Sequence, residues 1–398
     1  MENNRKSKTG SVGYGRHVSG ASDFHRAAHR TDGAYAGSAA QRRGRMPVPT
    51  YAVVIALAAA MLLLMTGVFV AGREIIFVER EQDAPSGNNI PEQPAETGDS
   101  IATPGSHPFA DGPTGDVTFP YADDSRIIDK SSILSARAVV VDLSSGEVIA
   151  SRLSNERMYP ASLTKVMTLI VAVENLPESV SLSYKVTVSS EVYNTMYLAG
   201  ASGMGLEAGE QLTVEALLYM TVLQSDGVAA SELARYIAGD EESFVLLMNR
   251  KASAMGLENT HFSNPTGLQD EANYSTCRDM AAILSYAMQM SLCRKVLTAA
   301  SYNASCTATA GKNAGSSFTY YVTNKFLSLL SETSGSKPDS LTITAGKTGY
   351  AGSNSGYCLA SYAVGANGHA YICVTSEAAG NYVACVRDHV ALYNAYAE

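Results

Sequence analysis

The feature that most constrains this chain is an uncharged apolar segment near its N-terminus. No charged residue lies between Met46 and Gly72, and residues 51–71 read YAVVIALAAAMLLLMTGVFVA. As a helix these residues would be about 31 Å long, which matches the hydrocarbon core of a bilayer. A buried helix of a soluble protein is a poorer interpretation, because the segment is apolar on every face. We therefore predict a transmembrane helix over residues 50–72.

A cleavable signal peptide is the other interpretation of this segment. The segment is longer than a usual signal sequence core, however, and no A-x-A cleavage site follows it, which favours an uncleaved signal-anchor. Arg42, Arg43 and Arg45 lie just before it. The positive-inside rule then places the N-terminus in the cytoplasm and the chain after Arg73 outside it.

Charge divides the chain into regions. Residues 1–49 contain nine Lys and Arg against three Asp and Glu, whereas residues 125–398 contain 18 against 24. The basic residues thus lie in a tail, and the acidic remainder argues against a nucleic-acid surface. We predict a disordered basic cytoplasmic tail over 1–49, the anchor over 50–72, a flexible Pro/Gly/acidic linker over 73–124 and a folded domain over 125–398.

Strand patterns lie at both ends of the folded domain, and helical patterns lie between them. A β-hairpin is predicted over residues 136–152, and three later strands over 340–347, 357–364 and 370–375. Helices are predicted over 162–175, twice within 211–238, and over 240–257, 278–298 and 381–396. The pattern predicts an α+β fold, with an antiparallel β-sheet flanked by helices and an α-rich subdomain.

All six cysteines follow the apolar segment, so they would lie in a compartment that permits disulfides. None has C-x-x-C or metal-ligand spacing, and no metal site or cofactor is predicted. Cys358 and Cys373 lie on the two arms of the predicted late hairpin. The sequence leaves open whether they pair or remain buried free thiols.

A serine and a lysine lie one helical turn apart at the start of the first long predicted helix. Ser162 and Lys165 form an S-x-x-K pattern, which puts both side chains on one face of the helix. A serine hydroxyl becomes a good nucleophile when a base removes its proton, and a lysine whose pKa is lowered by burial can do so. The free N–H groups at the helix start suit an oxyanion. Alone, the pattern is better explained by a helix cap and a surface lysine.

Two further short motifs follow in order. Ser225-Asp226-Gly227 begins like an S-x-N motif between two predicted helices. Lys347-Thr348-Gly349 continues the apolar strand pattern LTITAGKTGY. A peptide can pair along such a strand, a glycine permits close approach, and Lys and Thr side chains can bind a terminal carboxylate.

The three motifs together resemble those of the penicillin-binding D-alanyl-D-alanine carboxypeptidases, serine peptidases related to class A β-lactamases. The resemblance covers roughly residues 130–396 and extends beyond the motifs, to the segments YPASLTKVMT, NPTGL, KTGY and GYCLA. It implies a bacterial enzyme, membrane-bound through the anchor with its catalytic domain outside the cytoplasm. The implied partners are peptidoglycan stem peptides ending in D-Ala-D-Ala and β-lactam antibiotics, which would bind covalently.

The resemblance also implies residue roles. Ser162 would be acylated, Lys165 would be the general base, and Ser225 would pass a proton to the departing D-Ala. The terminal carboxylate and the peptide would bind to Lys347, Thr348, Gly349 and Tyr350. The backbone N–H groups of Ser162 and Tyr350 would form the oxyanion hole.

Gly227 departs from the family pattern, which usually has Asn at this position. This departure keeps a non-catalytic or weakly active wall-binding protein open as an alternative. A β-lactamase of the same fold is another, although no E-x-x-L-N segment is present to supply a deacylating Glu. A D,D-endopeptidase or transpeptidase is the third alternative.

Overall fold

The computed structural model describes residues 109–115, 117–177, 181–352 and 355–397 of the chain. The predicted cytoplasmic tail, the predicted anchor and most of the predicted linker lie outside these ranges. Within the ranges, no helix combines the length and the apolar character needed to cross a membrane. The structure therefore concerns the predicted folded domain and the residues that lead into it.

Strands occur near both ends of the described chain and in its middle. In chain order they are β1 (Tyr121–Ile127), β2 (Arg137–Asp142), β3 (Glu147–Arg152), β4 (Lys185–Thr187), β5 (Glu210–Thr213), β6 (Ser301–Ala308), β7 (Ser317–Thr323), β8 (Leu341–Tyr350), β9 (Tyr357–Gly365) and β10 (Ala370–Ala378).

The central sheet has six strands in the order β1-β3-β2-β10-β9-β8. Its neighbouring strands are antiparallel, except that β1 runs parallel to β3. The early hairpin and the late strands meet where β2 pairs with β10, with Val140 opposite Cys373. A smaller antiparallel sheet has the order β4-β5-β6-β7.

Most of the helices lie between β3 and β8. In chain order the α-helices of the described ranges are α1 (Thr164–Glu174), α2 (Ser190–Leu198), α3 (Val214–Leu223), α4 (Gly227–Ala238), α5 (Glu241–Ala254), α6 (Cys277–Gln289), α7 (Ser291–Thr298), α8 (Lys325–Glu332) and α9 (Tyr382–Tyr396). Polar side chains cap several of them by accepting backbone N–H groups of the first turn, as do Asp226 before α4, Thr276 before α6 and Asn324 before α8.

Both faces of the central sheet are buried. Val139 and Val141 of β2 pack into the core formed with the helical middle of the domain, whereas Ala138 and Val140 pack on the opposite side, with α8 and α9. Successive side chains of a strand point to opposite faces, so a strand covered on both sides is apolar at every position. This explains the unbroken apolar run in β2.

The predicted mixed α+β fold is confirmed, but several element boundaries and one strand pairing differ, and helices α2 and α8 were not predicted. The helix predicted over 278–298 is two helices, because Met290 has an extended backbone between α6 and α7. The folded region begins before residue 125, since Phe119 is buried and β1 starts at Tyr121. The central sheet is antiparallel as predicted except at its edge, where β1, a strand that was not predicted, runs parallel to β3.

The smaller sheet was not predicted, and it lies within the predicted α-rich subdomain. Strands β6 and β7 expose many of their side chains, and polar residues fill most of the exposed positions. A strand of this kind lacks the apolar run that makes β2 recognisable. The insert therefore combines helices with a sheet.

All six cysteines are free and buried. The register between β9 and β10 places Cys373 opposite Ser361, not opposite Cys358. Of the two possibilities left open by the sequence, the structure contains buried free thiols.

Candidate active site

The turn that carries Ser162 leads directly into α1. Residues Ala161–Leu163 form a 3-10 helix, and α1 begins at the next residue. Ser162 is half-buried, whereas Lys165 in the first turn of α1 is only 2% exposed. The Nζ atom of Lys165 lies 3.2 Å from the Oγ atom of Ser162. The predicted serine–lysine pair is thus within hydrogen-bond distance.

A backbone carbonyl holds the lysine in this position. Lys165 Nζ donates to the carbonyl oxygen of Thr266. The loop around Thr266 is built by Asn264, whose Oδ1 atom accepts the N–H groups of residues 266, 267 and 268 at 3.2, 2.7 and 3.1 Å. Because one side chain satisfies three successive donors, the carbonyl that faces Lys165 is rigidly placed.

Burial makes Lys165 suited to act as a base. Desolvation lowers the pKa of Lys165 to about 7; the nearby Asp226 carboxylate opposes this shift, and the charge of Lys325 adds to it. A lysine with such a pKa is about half neutral near pH 7, and a neutral amine can accept a proton from a hydroxyl.

Ser225 of the second motif is hydrogen-bonded to Lys347 of the third motif. Ser225 lies between α3 and α4 and has a φ of +61°. Lys347 of β8 donates to Ser225 Oγ at 3.0 Å and to the carbonyl oxygen of Thr348 at 2.9 Å. Lys347 is 2% exposed, and desolvation together with repulsion from Lys165 lowers its pKa well below the usual range.

Two glycines allow the loops and the strand to pack against the Ser162 turn. A Cβ atom at Gly349 would lie 2.5 Å from the Sγ of Cys358, 3.0 Å from the carbonyl oxygen of Pro160 and 3.3 Å from the Cβ of Ala161. A Cβ atom at Gly267, whose φ is +74°, would lie 1.8 Å from the carbonyl oxygen of Ala161. The absence of side chains at both positions thus lets β8 and the Thr266 loop touch the same turn.

The structure brings the predicted residues together. Ser162 and Lys165 form one contact, and Ser225 and Lys347 form another beside it, because Gly349 packs β8 onto the Ser162 turn. Farther along β8, the side chain of Thr348 is half-buried and that of Tyr350 is 48% exposed. In the described part of the chain, no three His, Cys, Asp or Glu side chains lie close enough together to hold a metal ion.

A model of the D-alanyl-D-alanine carboxypeptidase family matches residues 125–379. The chain belongs to this family. It is 40% identical over 146 residues to a D-alanyl-D-alanine carboxypeptidase of Bacillus subtilis (strain 168), a match that covers 36% of each chain. It is 40% identical over 161 residues to one of Escherichia coli (strain K12), a match that covers 40% of each chain.

The solved structure of the Streptomyces K15 DD-transpeptidase has a similar fold, with a TM-score of 0.57 and 28% sequence identity. That similarity covers 67% of this chain and 98% of the transpeptidase. The curated carboxypeptidases named above are matched over only 36% and 40% of their own lengths. The shared segment therefore supports the fold and the family more directly than the activity of the whole protein.

The resemblance leads us to expect Asn at position 227, where this chain has Gly, and Asp226 does not take the place of such a side chain. The two carboxylate oxygens of Asp226 accept the backbone N–H groups of Met204 at 2.7 Å and Ala229 at 2.9 Å. The carboxylate therefore caps α4 and holds the loop before β5. Orientation of Lys165 depends instead on the Thr266 carbonyl.

A neighbouring loop occupies the space beside Gly227. A Cβ atom at position 227 would lie 2.7 Å from the Cβ of Ala201, closer than two such atoms can approach. The loop is fixed to the second motif, because Gly227 N–H donates to Ser202 O at 2.8 Å and Ser202 Oγ donates to Ser225 O at 3.1 Å. The observed position of Ala201 is therefore compatible only with a residue at 227 that has no side chain.

Two residues that contribute to the site were not predicted. The contribution of Thr266 is a backbone carbonyl, which any residue type supplies; the segment NPTGL that contains it was noted only as part of the family resemblance. Lys325 begins α8 and donates through Nζ to the carbonyl of Gln224, next to Ser225. The sequence feature that could have drawn attention to Lys325 is its position as a cation at the start of an apolar helix, where the helix dipole disfavours positive charge.

The steric pair of Ala201 and Gly227 predicts a coupled effect of substitution. Gly227→Asn alone should destabilise the protein by about 1–3 kcal/mol, because the new side chain overlaps Ala201. Ala201→Gly should remove much of that cost in the double variant, giving a coupling of about 1 kcal/mol or more. Denaturant unfolding of the two single variants and the double variant measures it. Strictly additive effects, or a Gly227→Asn variant as stable as the wild type, would show that the loop does not constrain position 227.

The lowered pKa of Lys165 predicts the pH dependence of acylation. Neutral Lys165 is the expected base, and its population rises about tenfold per pH unit below a pKa of about 7 and becomes constant above it. The second-order rate of acylation by a penicillin should therefore rise from pH 5 to 7 and level off between 7 and 9. Circular dichroism over the same range controls for unfolding. A rate that still rises tenfold between pH 9 and 10 would show that the base has the pKa of an ordinary lysine, and not one lowered to about 7.

Proposed function

We propose that this chain is a serine-type D-alanyl-D-alanine carboxypeptidase that removes the terminal D-Ala from peptidoglycan stem pentapeptides. The observation that carries the proposal is the juxtaposition of two serine–lysine pairs, Ser162 with Lys165 and Ser225 with Lys347. One pair supplies a nucleophile and its base. The other supplies a hydroxyl and a cationic group beside it. Family membership supports the same reaction.

In the proposed acylation step, neutral Lys165 takes the hydroxyl proton of Ser162. The Oγ atom attacks the carbonyl carbon of the penultimate D-Ala, and the carbonyl oxygen becomes an oxyanion. The proton then reaches the nitrogen of the departing D-Ala through the hydroxyl of Ser225, and the C–N bond breaks. Water attacks the resulting ester on Ser162, which releases the shortened peptide and returns the proton to the serine.

The position of β8 supports the proposed binding of the transition state. Gly349 packs on the residues just before Ser162, so the N–H groups of Ser162 and Tyr350 would lie on either side of the attacked carbonyl. Backbone N–H groups placed in this way stabilise the developing negative charge. Strand pairing along β8 would align the peptide.

The terminal carboxylate of the peptide would bind to the Lys347 ammonium and the Thr348 hydroxyl. Lys347 is buried and its pKa is lowered, so an arriving carboxylate would favour its protonated form and offset the cost of burying the charge. β-Lactam antibiotics carry a carboxylate near a strained amide. They would acylate Ser162 in the same way and act as covalent inhibitors.

Replacement of the nucleophile tests the proposal. The full chain should be labelled by a fluorescent penicillin and should release D-Ala from a pentapeptide ending in D-Ala-D-Ala. Ser162→Ala should abolish labelling and reduce D-Ala release at least about a thousandfold. Ser145→Ala, which changes an exposed serine in the turn between β2 and β3, is the matched control and should leave both signals unchanged.

Three outcomes would contradict the carboxypeptidase proposal. Labelling that survives in Ser162→Ala would place the nucleophile elsewhere. Stable labelling without D-Ala release would favour a non-catalytic or differently specific penicillin-binding protein. Rapid hydrolysis of the bound penicillin would favour a β-lactamase.

We also propose that residues 50–72 anchor the chain in the bacterial cell membrane as a single-pass helix, with the catalytic domain outside the cytoplasm. The support is the uncharged apolar segment and the basic residues before it. The cytoplasmic tail (1–49) and the linker (73–124) belong to the same proposal. Peptidoglycan lies outside the membrane, so this arrangement brings the site to its substrate.

Cell fractionation tests the anchor. The full chain should remain in the membrane pellet after carbonate extraction, whereas a variant without residues 1–72 should stay soluble. A full-length chain that is recovered in the soluble fraction, or a mature chain that begins after residue 72, would contradict an uncleaved anchor.

A further inference from the structure

A threonine on α1 joins this helix to the loop that holds Lys165. Thr168 lies one turn after Lys165 and is completely buried. Its Oγ1 atom lies 2.6 Å from the carbonyl oxygen of Pro265 and 3.4 Å from the carbonyl oxygen of Thr164. A hydroxyl has one proton to donate, and the shorter contact receives it. Thr168 therefore donates to Pro265, the residue just before Thr266.

The loop presents two successive carbonyls to one face of α1. Residues three apart on a helix lie on the same face, so the side chains of Lys165 and Thr168 are neighbours. Lys165 Nζ donates to the carbonyl oxygen of Thr266, and Thr168 Oγ1 donates to that of Pro265. The carbonyl that orients the lysine is thus adjacent in sequence to one that is fixed to the same helix.

The loop is internally rigid, so the contact at Pro265 determines where the Thr266 carbonyl lies. Asn264 accepts three successive backbone N–H groups after Pro265, and its Nδ2 atom donates to the carbonyl oxygen of Leu268 at 3.0 Å. The ring of Pro265 also fixes its own φ angle. A displacement of the Pro265 carbonyl would therefore move the Thr266 carbonyl with it.

The two hydrogen bonds respond differently to proton transfer. In the proposed reaction Lys165 alternates between amine and ammonium, and its hydrogen bond to Thr266 is stronger when the lysine is charged. The hydroxyl of Thr168 keeps its proton throughout. Its hydrogen bond to Pro265 therefore holds the loop in place in both protonation states of the lysine.

We propose that Thr168 is a positioning residue, whose hydroxyl fixes the Pro265–Thr266 backbone to α1 and so keeps the Thr266 carbonyl against Lys165 during proton transfer. This inference rests on the proposed function only in the role of Lys165 as the base. Thr168 acts through the carbonyl and not by contact with substrate, because its side chain is completely buried.

Removal of the hydroxyl with little change of shape tests the inference. The second-order rate of acylation by benzylpenicillin is measured from pH 5 to 9 in the full chain, for the wild type and for Thr168→Val. The ammonium form of Lys165 loses a well-placed acceptor in the variant, so the midpoint of the pH profile should fall by about 0.5–1 pH unit. The plateau rate should fall about tenfold, because the amine is less well oriented.

Two further variants at this position complete the series. Thr168→Ser retains the hydroxyl and should restore both the midpoint and the plateau rate. Thr168→Ala lacks the hydroxyl, as Thr168→Val does, and should show the same fall of the midpoint.

Thr221→Val is the matched control. Thr221 on α3 is also completely buried, and its hydroxyl has no hydrogen-bond partner among the described residues. The same exchange of atoms there should leave the rate and the midpoint unchanged. Three charged side chains influence Lys165 from other elements, namely Asp226 before α4, Lys325 on α8 and Lys347 on β8. Every variant keeps these charges, so a shift of the midpoint reports the hydrogen bond.

The midpoint separates positioning from a purely structural role. If Thr168→Val lowers the plateau rate and the melting temperature but leaves the midpoint at the wild-type pH, Thr168 only stabilises the fold and the inference is wrong. It is also wrong if Thr168→Val behaves as the wild type, or if Thr221→Val shifts the midpoint equally.

Failure of the proposed function has a different signature. A wild-type chain that is acylated with a midpoint near pH 7 but releases no D-Ala counts against the carboxypeptidase function alone. A wild-type rate of acylation that does not level off by pH 9 contradicts the role of Lys165 on which the inference rests.

Discussion

Close contact between strand β8 and the Ser162 turn determines the geometry of the whole site. A Cβ atom at Gly349 would lie 3.0 Å from the Pro160 carbonyl oxygen of that turn and 2.5 Å from the Cys358 Sγ of the neighbouring strand β9. Strand β8 is paired in register with β9, and the turn is continuous with α1. The contact between them therefore sets the distance of Lys347 from Ser162. Two elements far apart in the sequence become one site because a glycine permits their backbones to meet.

The consequence of this packing is the burial of two lysines side by side. Burial and repulsion from Lys165 lower the pKa of Lys347, and burial brings the pKa of Lys165 to about 7. Both ammonium groups keep hydrogen-bond acceptors, among them the carbonyls of Thr266 and Thr348, which limits the cost of desolvation. Under the proposed function, an arrangement that is costly in the free protein would become favourable when a carboxylate enters, and this difference would serve selective binding.

The sequence allowed prediction of the features that depend on residue type alone, namely buried strands and short catalytic motifs. The apolar runs of β2, β9 and β10 predicted the central sheet, because strands buried on both faces are apolar at every position. The motifs predicted Lys165 and Lys347 as site residues. The smaller sheet was missed, since its strands β6 and β7 are largely exposed. The Thr266 carbonyl and the approach of Ala201 to Gly227 depend on how loops pack, which no local pattern records.

The central claim is that a single site joins the nucleophile Ser162 to a carboxylate-binding end formed by β8. An experimental structure of the chain acylated by benzylpenicillin tests it most directly. The account predicts an ester bond to Ser162 Oγ, with the penicillin carboxylate within hydrogen-bond distance of Lys347 or Thr348. An ester on another residue, or a carboxylate that points into solvent away from β8, would contradict the account.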